Sequence, residues 1–542
     1  MSGALYQDKT GMTNRVWWQR GIFYQIYPRS FQDSNADGVG DLKGIIDRLP
    51  YLKRLGIDAV WLSPIFPSPM ADFGYDISDY TGIDPLFGTM ADFDALIDAV
   101  HKSSLRLILD LVPNHTSDHH PWFIESRSSR TNSKRDWYIW RDGAPTGGPP
   151  NNWFSEFGGS AWQYDPTTGQ YYYHAFLAQQ PDLNWRNPGV RRAIYEVMRY
   201  WLRKGVDGFR VDVIWHLIKD DQFRDNPPNP NFVEGRPPHE AVLPIYTTDR
   251  PEIHQVVAEM RAVIDEFDDR VLIGEIYLPV EGLVSYYGKE LLEAQMPFNF
   301  SLLSAPWNAR ALEKIILEYE RALPNGAWPN WVLGNHDRPR VASRIGREQA
   351  RVAAMLLLTL RGTPTLYYGD EIGMQQVAIA PEHVRDPFEK NVPGIGVGRD
   401  GCRTPMQWDA SLNAGFSAAA PWLPTAADFA RENVANEDAD KTSILNLYKA
   451  LIAYRRGNGA LTSGTYEPVA AENNLLIYAR RSGTDSTIVF LNIGSDPVSV
   501  TSDTFVPEGE IELSTFLDRS GEKVSHSIEL RGNEGVIVRP AT

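Results

Sequence analysis

The chain has 542 residues, 42% apolar and 23% charged, which suits a large core with added modules and excludes global disorder. Its 53 Lys and Arg against 69 Asp and Glu give a net charge of −16, a poor match for nucleic acid or anionic membranes. The one cysteine, Cys402, excludes an internal disulfide framework and a Cys-rich zinc site.

In chain order, residues 1–21 carry no apolar leader and no membrane-length apolar run follows, so a cytoplasmic chain with no membrane partner is expected. IFYQIYP (22–28) is apolar without alternation and reads as a buried parallel strand. The helix through Leu42, Ile46 and Leu49 meets Pro50, which predicts a kink or break. IDAVWLSP (57–64) is the second strand-like run. Thr89 with Asp92 forms a capping box before Phe93, Leu96, Ile97 and Val100 at helical spacing. LRLILDLVP (105–113) is the third run. Residues 113–185, rich in Trp, Asn, Gly and Pro, are too long for a crossover and read as a small inserted domain. Ile194, Val197, Met198, Trp201 and Leu202 mark another helix, with Gly205 as its C-cap. GFRVDV (208–213), RVLIGEI (270–276), QMPFNF (295–300), NWVLGNHD (330–337) and TPTLYYGD (363–370) complete eight runs. Residues 219–240 read as a lid loop, 346–361 as a deeply packed helix, and about 375–410 as a third long loop.

From about 465 the pattern turns to short alternating strands: LLIYARR, a turn at SGTD, TIVFLNI and a final GVIVRP. The fold class expected is α/β: a (β/α)8 TIM barrel with a domain inserted after the third strand and a C-terminal antiparallel β-sandwich. The barrel takes 1–112 and 186–464, the insert 113–185 and the C-terminal domain 465–542. A doubly wound open sheet is the structural rival. Neither G-x-G-x-x-G after a strand nor G-x-x-x-x-G-K-[ST] occurs, so nucleotide binding has little support.

Polar residues gather where the runs end, which in a barrel is one rim. Asp110 and His115 follow the third run, Arg210 and Asp212 lie on the fourth, Glu275 ends the fifth, and His336 and Asp337 end the seventh. A buried carboxylate is costly unless paired. Ion pairing alone would explain any one of them; three on one rim point to chemistry. Glycosidic cleavage needs this set: one carboxylate to attack or stabilise the anomeric centre, another kept protonated for the leaving oxygen. Arg210 is two residues from Asp212, so both side chains share a strand face, and the guanidinium is expected to orient Asp212 and hold it ionised. Glu275 follows an apolar VLIG and is expected to titrate high.

These stretches resemble the α-amylase family of retaining glycosidases, glycoside hydrolase family 13, and within it the α-glucosidase and oligo-1,6-glucosidase group. The matches are DLVPNH (110–115), GFRVD (208–212), GEIY (274–277), NHD (335–337), QPDLN (180–184), GIDAVWLSP (56–64), GTPTLYYGDEIGM (362–374), GRDGCRTPMQW (398–408) and GIFYQIYPRSFQDSNADGVGDLKGI (21–45). They span nearly the whole chain in the family's order. The resemblance implies Asp212 as nucleophile, Glu275 as general acid/base, and Asp337 as the grip on the 2- and 3-hydroxyls. It implies His115 and His336 as hydroxyl ligands, Tyr75 as the platform under the terminal sugar, and Asp72 with Arg399 as the pair closing that subsite. Such a pocket acts from the non-reducing end on short substrates: maltose, isomaltose, short oligosaccharides or sucrose. Val213 follows the nucleophile; in this group valine there accompanies α-1,6 activity and threonine α-1,4. The lid with its NPPNP run departs from the oligo-1,6-glucosidases.

Asp33, Asn35, Asp37, Val39 and Asp41 follow part of a calcium-loop pattern, but Gly44 replaces the closing Glu, so this is not an EF-hand. A surface turn is the plain reading; the resemblance implies a structural Ca2+ or Mg2+ away from the chemistry. No cofactor is expected for catalysis. His119 and His120 are adjacent and read as packing residues, and Cys402 as no nucleophile. Phe298 and Phe300 fit either the aglycone or the core. The enzymatic rivals are a sucrose hydrolase and a transglycosylase or isomerase of the same family. The non-enzymatic rival, a transporter-subunit-like dead relative, predicts lost carboxylates and a membrane helix.

Overall fold

The computed structural model describes residues 16–501 and 506–541; the leading stretch 1–15, read above as lacking an apolar leader, lies outside them. Eight parallel strands form the central sheet: β1 (Phe23–Ile26), β2 (Ala59–Leu62), β3 (Arg106–Leu111), β4 (Gly208–Val211), β5 (Val271–Gly274), β6 (Met296–Pro297), β7 (Asn330–Val332) and β8 (Thr363–Tyr367). Their order is β7-β8-β1-β2-β3-β4-β5-β6, the sequence of a barrel cut between β6 and β7. Alternate residues face opposite ways. Phe23, Trp61, Ile108, Ile273, Met296 and Val332 fill the inside, while Tyr24, Ile26, Val60, Leu107, Phe209 and Leu272 meet the helical layer.

That layer includes α1 (Leu42–Leu55), α2 (Met90–Lys102), α3 (Pro188–Arg203), α4 (Ile253–Ile264), α5 (Ala309–Ala322), α6 (Arg347–Thr359) and α7 (Ile444–Gly457). The Thr89–Asp92 capping box opens α2. Gly205 follows α3 at φ +103°, left-handed backbone where its lack of a Cβ is needed. Of the kink or break expected at Pro50, the break is absent: α1 runs through it. Pro50 is exposed, while Leu49, Tyr51, Leu52 and Leu55 are buried.

The segment between β3 and α3 carries its own helix (Pro121–Ser128) and a three-stranded antiparallel sheet of Trp140–Arg141, Gln170–Tyr173 and Trp162–Asp165. Beyond α7 lies an antiparallel domain. Its hairpin pairs Leu475–Ser482 with Asp485–Asn492 within a six-stranded sheet, and a two-stranded sheet pairs Val498–Thr501 with Ser527–Leu530.

No backbone ladder joins β6 to β7 among the described residues. Asn330 spans the seam instead. Its Nδ2 donates to the Pro297 carbonyl at 2.6 Å, and its Oδ1 accepts from the Asn299 N–H at 2.9 Å. One carboxamide thus stands in for a peptide unit. Asn330→Ala leaves both backbone groups unpaired and should destabilise the protein by about 2–4 kcal/mol, read by denaturant unfolding.

Candidate active site

The barrel register sets Asp110 on β3 opposite Arg210 on β4. Arg210 Nη1 donates to Asp110 Oδ1 at 2.8 Å and to Asp212 Oδ1 at 2.7 Å; Nη2 lies 2.8 Å from Glu275 Oε2. Val213, next to Asp212, has left-handed backbone at φ +37°, rare for a β-branched residue. The turn aims its N–H at Glu275 Oε2, 2.8 Å away.

Burial raises Asp212, Glu275 and Asp110, the last to about 7, and outweighs the attraction of Arg210 in each case. One cation serving three carboxylates cannot keep all of them ionised. Arg210 orients Asp212, and the cluster as a whole retains a proton near neutral pH. Asp337 is the contrast. Burial pushes it up too, but the Arg403 and Arg399 guanidinium groups beside it prevail and hold it below the ordinary carboxylate range.

His336 is buried and held well below its usual range, mainly by that burial, and is neutral. Its Nε2 lies 2.7 Å from the Tyr75 hydroxyl and 3.2 Å from Asp337 Oδ2; its Nδ1 lies 2.7 Å from the Gln25 amide. Burial pushes His115 down to about 4; its Nε2 lies 3.1 Å from the Tyr75 carbonyl and from the Gln180 amide.

Arg399 bridges two acids of the cavity wall. Its Nη2 reaches Asp72 Oδ1 at 2.8 Å, and its Nη1 reaches Asp337 Oδ1 at 3.3 Å. Asp386, fully buried, clamps Arg399 through Nη2 at 2.7 Å and the backbone N–H at 2.6 Å. Arg403 lies behind, donating to Asp337 Oδ1 at 2.9 Å and to the His336 carbonyl at 2.8 Å. At the mouth three loops meet. Glu156 of the insert lies 3.3 Å from His239 of the lid, and Phe157 stacks on Phe388 of the third loop at 5.0 Å.

These groups enclose a cavity of about 380 Å³, at the small end of ligand pockets. Asp72, Tyr75, His115, Asp212, Glu275, His336, Asp337 and Arg399 all line it. Arg210 does not: it is 1% exposed and lies beneath the carboxylates. Sequence reading missed Gln180, Phe176, Trp215, His216, His239, Tyr277 and Arg338, which also line the cavity, and the supporting Gln25 and Asp386. Gln25 had a legible signal, as the one polar residue in an apolar run; Gln180 opens QPDLN. Phe300 stacks on the cavity-lining Tyr277 at 4.4 Å, and Phe298 packs inside the barrel.

Asp33, Asn35, Asp37, Val39 and Asp41 form a separate loop that does not line the cavity. Asp33 accepts from the N–H groups of Asn35, Ala36 and Gly38 and from the Ser417 hydroxyl; Asp41 accepts from Ser34 and Gly44. Among the described residues no cluster of three His, Cys, Asp or Glu side chains converges as a metal cage, and no helix is long and apolar enough to cross a membrane.

The family model described as "Alpha amylase, catalytic domain" matches residues 25–464. A "Probable alpha-glucosidase" of Rhizobium meliloti (strain 1021) is 43% identical, covering 89% of this chain and 90% of that protein. An "Oligo-1,6-glucosidase" of Parageobacillus thermoglucosidasius is 42% identical, covering 88% and 90%. Among solved structures, the alpha-glucosyl transfer enzyme XgtA superposes with a TM-score of 0.92 at 38% identity, covering 97% of this chain and 100% of that one. The trehalulose synthase MutB from Pseudomonas mesoacidophila MX-45 gives 0.90 at 35% identity with the same coverage.

Asp72 supplies a stability test. Burial raises its carboxyl from 3.8 to about 6 despite Arg399. The folded state then holds a proton that the unfolded chain releases, so this group's contribution is full below pH 3.8 and is lost as pH rises through about 6. Relative to wild type, Asp72→Asn should gain on the order of 2–3 kcal/mol between those pH values, measured by denaturant unfolding at each pH.

Proposed function

Because this chain belongs to the α-amylase family, we propose that it is a retaining, exo-acting α-glucosidase releasing glucose from the non-reducing end of short α-glucosides. One observation carries the reading: Asp212 and Glu275 sit on the two Nη atoms of one guanidinium at the floor of a cavity whose end is shut by Asp72 and Arg399. Carboxyls that close suit retention, where the pair stand about 5 Å apart with no room for water between them.

Asp212 attacks the anomeric carbon while Glu275, kept protonated by burial, gives its proton to the leaving oxygen. A β-glucosyl ester on Asp212 results. Glu275, now a carboxylate, takes a proton from water as the water oxygen attacks the anomeric carbon; Asp212 leaves and α-glucose is released. Asp337, ionised, accepts from the sugar's 2- and 3-hydroxyls, neutral His115 and His336 bond hydroxyls, and Tyr75 lies beneath the ring. Arg210 orients both reacting carboxylates without touching the sugar. The ionised Arg399–Asp72 pair meets the 4-hydroxyl and leaves no path for a longer chain. Val213 favours α-1,6 bonds, with α-1,4 bonds and sucrose as further substrates. The chain's place is the cytoplasm.

The alpha-glucosyl transfer enzyme among the similar structures favours a second reading, in which a sugar hydroxyl replaces water at the glucosyl–enzyme. Products at high substrate concentration separate the two: glucose alone means hydrolysis, new di- and trisaccharides mean transfer. A hydrolysis panel of maltose, isomaltose, sucrose and trehalose assigns the linkage.

Asp212→Asn should lower kcat by on the order of a thousandfold or more with Tm unchanged, and near-normal turnover would refute the assignment. NMR of the wild-type reaction should show α-glucose first; β-glucose first would rule out retention. The 33–41 loop offers only oxygen donors, which suits Ca2+ or Mg2+, although Asp33 and Asp41 already bond the loop's own amides. A structural cation there should raise Tm and be lost to chelator. An unchanged Tm after chelation would leave the self-bonded turn as the complete structure.

A further inference from the structure

His216 follows the nucleophile's turn, in the short helical turn Ile214–His216. It lines the cavity yet is only 4% exposed. Its ring is held between Phe176 and Trp215, at centroid distances of 5.5 and 4.8 Å. Nδ1 is enclosed and has no hydrogen-bond partner. Nε2 is not among the enclosed orphan atoms and makes no hydrogen bond among the described residues, so it meets the open cavity. Burial, with Lys219, His115 and His239 nearby, keeps the imidazole well below its usual range and neutral.

A neutral imidazole carries one proton. Left without a partner, an enclosed N–H is harder to tolerate than an enclosed lone pair, so the bare nitrogen is Nδ1 and the proton sits on Nε2. A buried donor directed into a polar cavity, with no protein acceptor, is unfavourable until something accepts from it. The occupant proposed above is uncharged and dense in hydroxyls, and a neutral donor fits it without the desolvation that a charged group would impose.

We propose that His216 is a substrate-binding residue that donates an Nε2–H hydrogen bond to an oxygen of the bound glucoside and so contributes to substrate selection. The inference rests on the α-glucosidase reading. The oxygen belongs either to the terminal glucose, which Phe176 borders beside His115, or to the leaving sugar, toward which Trp215 packs on Tyr277.

The test compares wild type, His216→Phe and His216→Gln. Phenylalanine keeps the ring packing without the donor, and glutamine restores an N–H. Substrates are maltose, isomaltose, sucrose, p-nitrophenyl α-glucoside and its 2-, 3-, 4- and 6-deoxy analogues. His216→Phe should lower kcat/KM roughly three- to tenfold, the size of one neutral hydrogen bond, with His216→Gln recovering part of the loss and Tm unchanged. If the acceptor is on the terminal glucose, one deoxy analogue loses nothing further in His216→Phe. If it is on the leaving sugar, the disaccharides lose activity and the p-nitrophenyl substrates do not. Unchanged kcat/KM in His216→Phe, or an equal loss on every substrate and analogue, would overturn the proposal. Absence of hydrolysis by the wild type on all of them would instead overturn the glucosidase reading, and this inference with it.

Discussion

One guanidinium organises the floor of the site. Arg210 is buried inside the barrel mouth and meets Asp110, Asp212 and Glu275 within hydrogen-bond distance. Three carboxylates facing one cation in a low-dielectric site cannot all be charged, and burial moves all three upward. That deficit of positive charge leaves a proton shared within the cluster. Across the cavity the balance reverses: Asp337 faces Arg399 and Arg403 and stays ionised. Two charge states coexist in one cavity because the cations are unevenly distributed around it.

The floor is rigid for a backbone reason as well. Val213 holds left-handed geometry disfavoured for its side-chain type, and its N–H lies 2.8 Å from Glu275. The same turn carries Asp212 before it and Trp215 and His216 after it, so one strained residue fixes several side chains of the cavity wall.

The roof depends on a different buried charge. Lys219, at the start of the lid, donates to Asn114 Oδ1 at 2.8 Å and pairs closely with Asp182, whose other oxygen accepts from the Ala175 N–H. It thereby ties the lid, the rim after β3 and the inserted segment together. Removal of one partner would leave an uncompensated buried charge, which makes such a junction sensitive to substitution. Asp386 plays the same part for the third loop, holding Arg399 against Asp72.

All eight strand runs were legible, because parallel strands covered on both faces read as unbroken apolar stretches. The strand-end carboxylates were legible because a polar residue closing such a stretch has few structural reasons to be there. Pro50 does not end its helix: it lies exposed while Leu49, Leu52 and Leu55 are buried, and that packing is not visible in the local sequence. The sequence by itself determined the barrel, the strand-end carboxylates and the family. Only the tertiary structure decided that Arg210 lies under the cavity, that Asp386 clamps Arg399, that Asn330 bridges the seam, and that His216 is left without a partner. Those contacts join residues distant along the chain or depend on which atoms remain enclosed, and neither property is a function of local composition or periodicity.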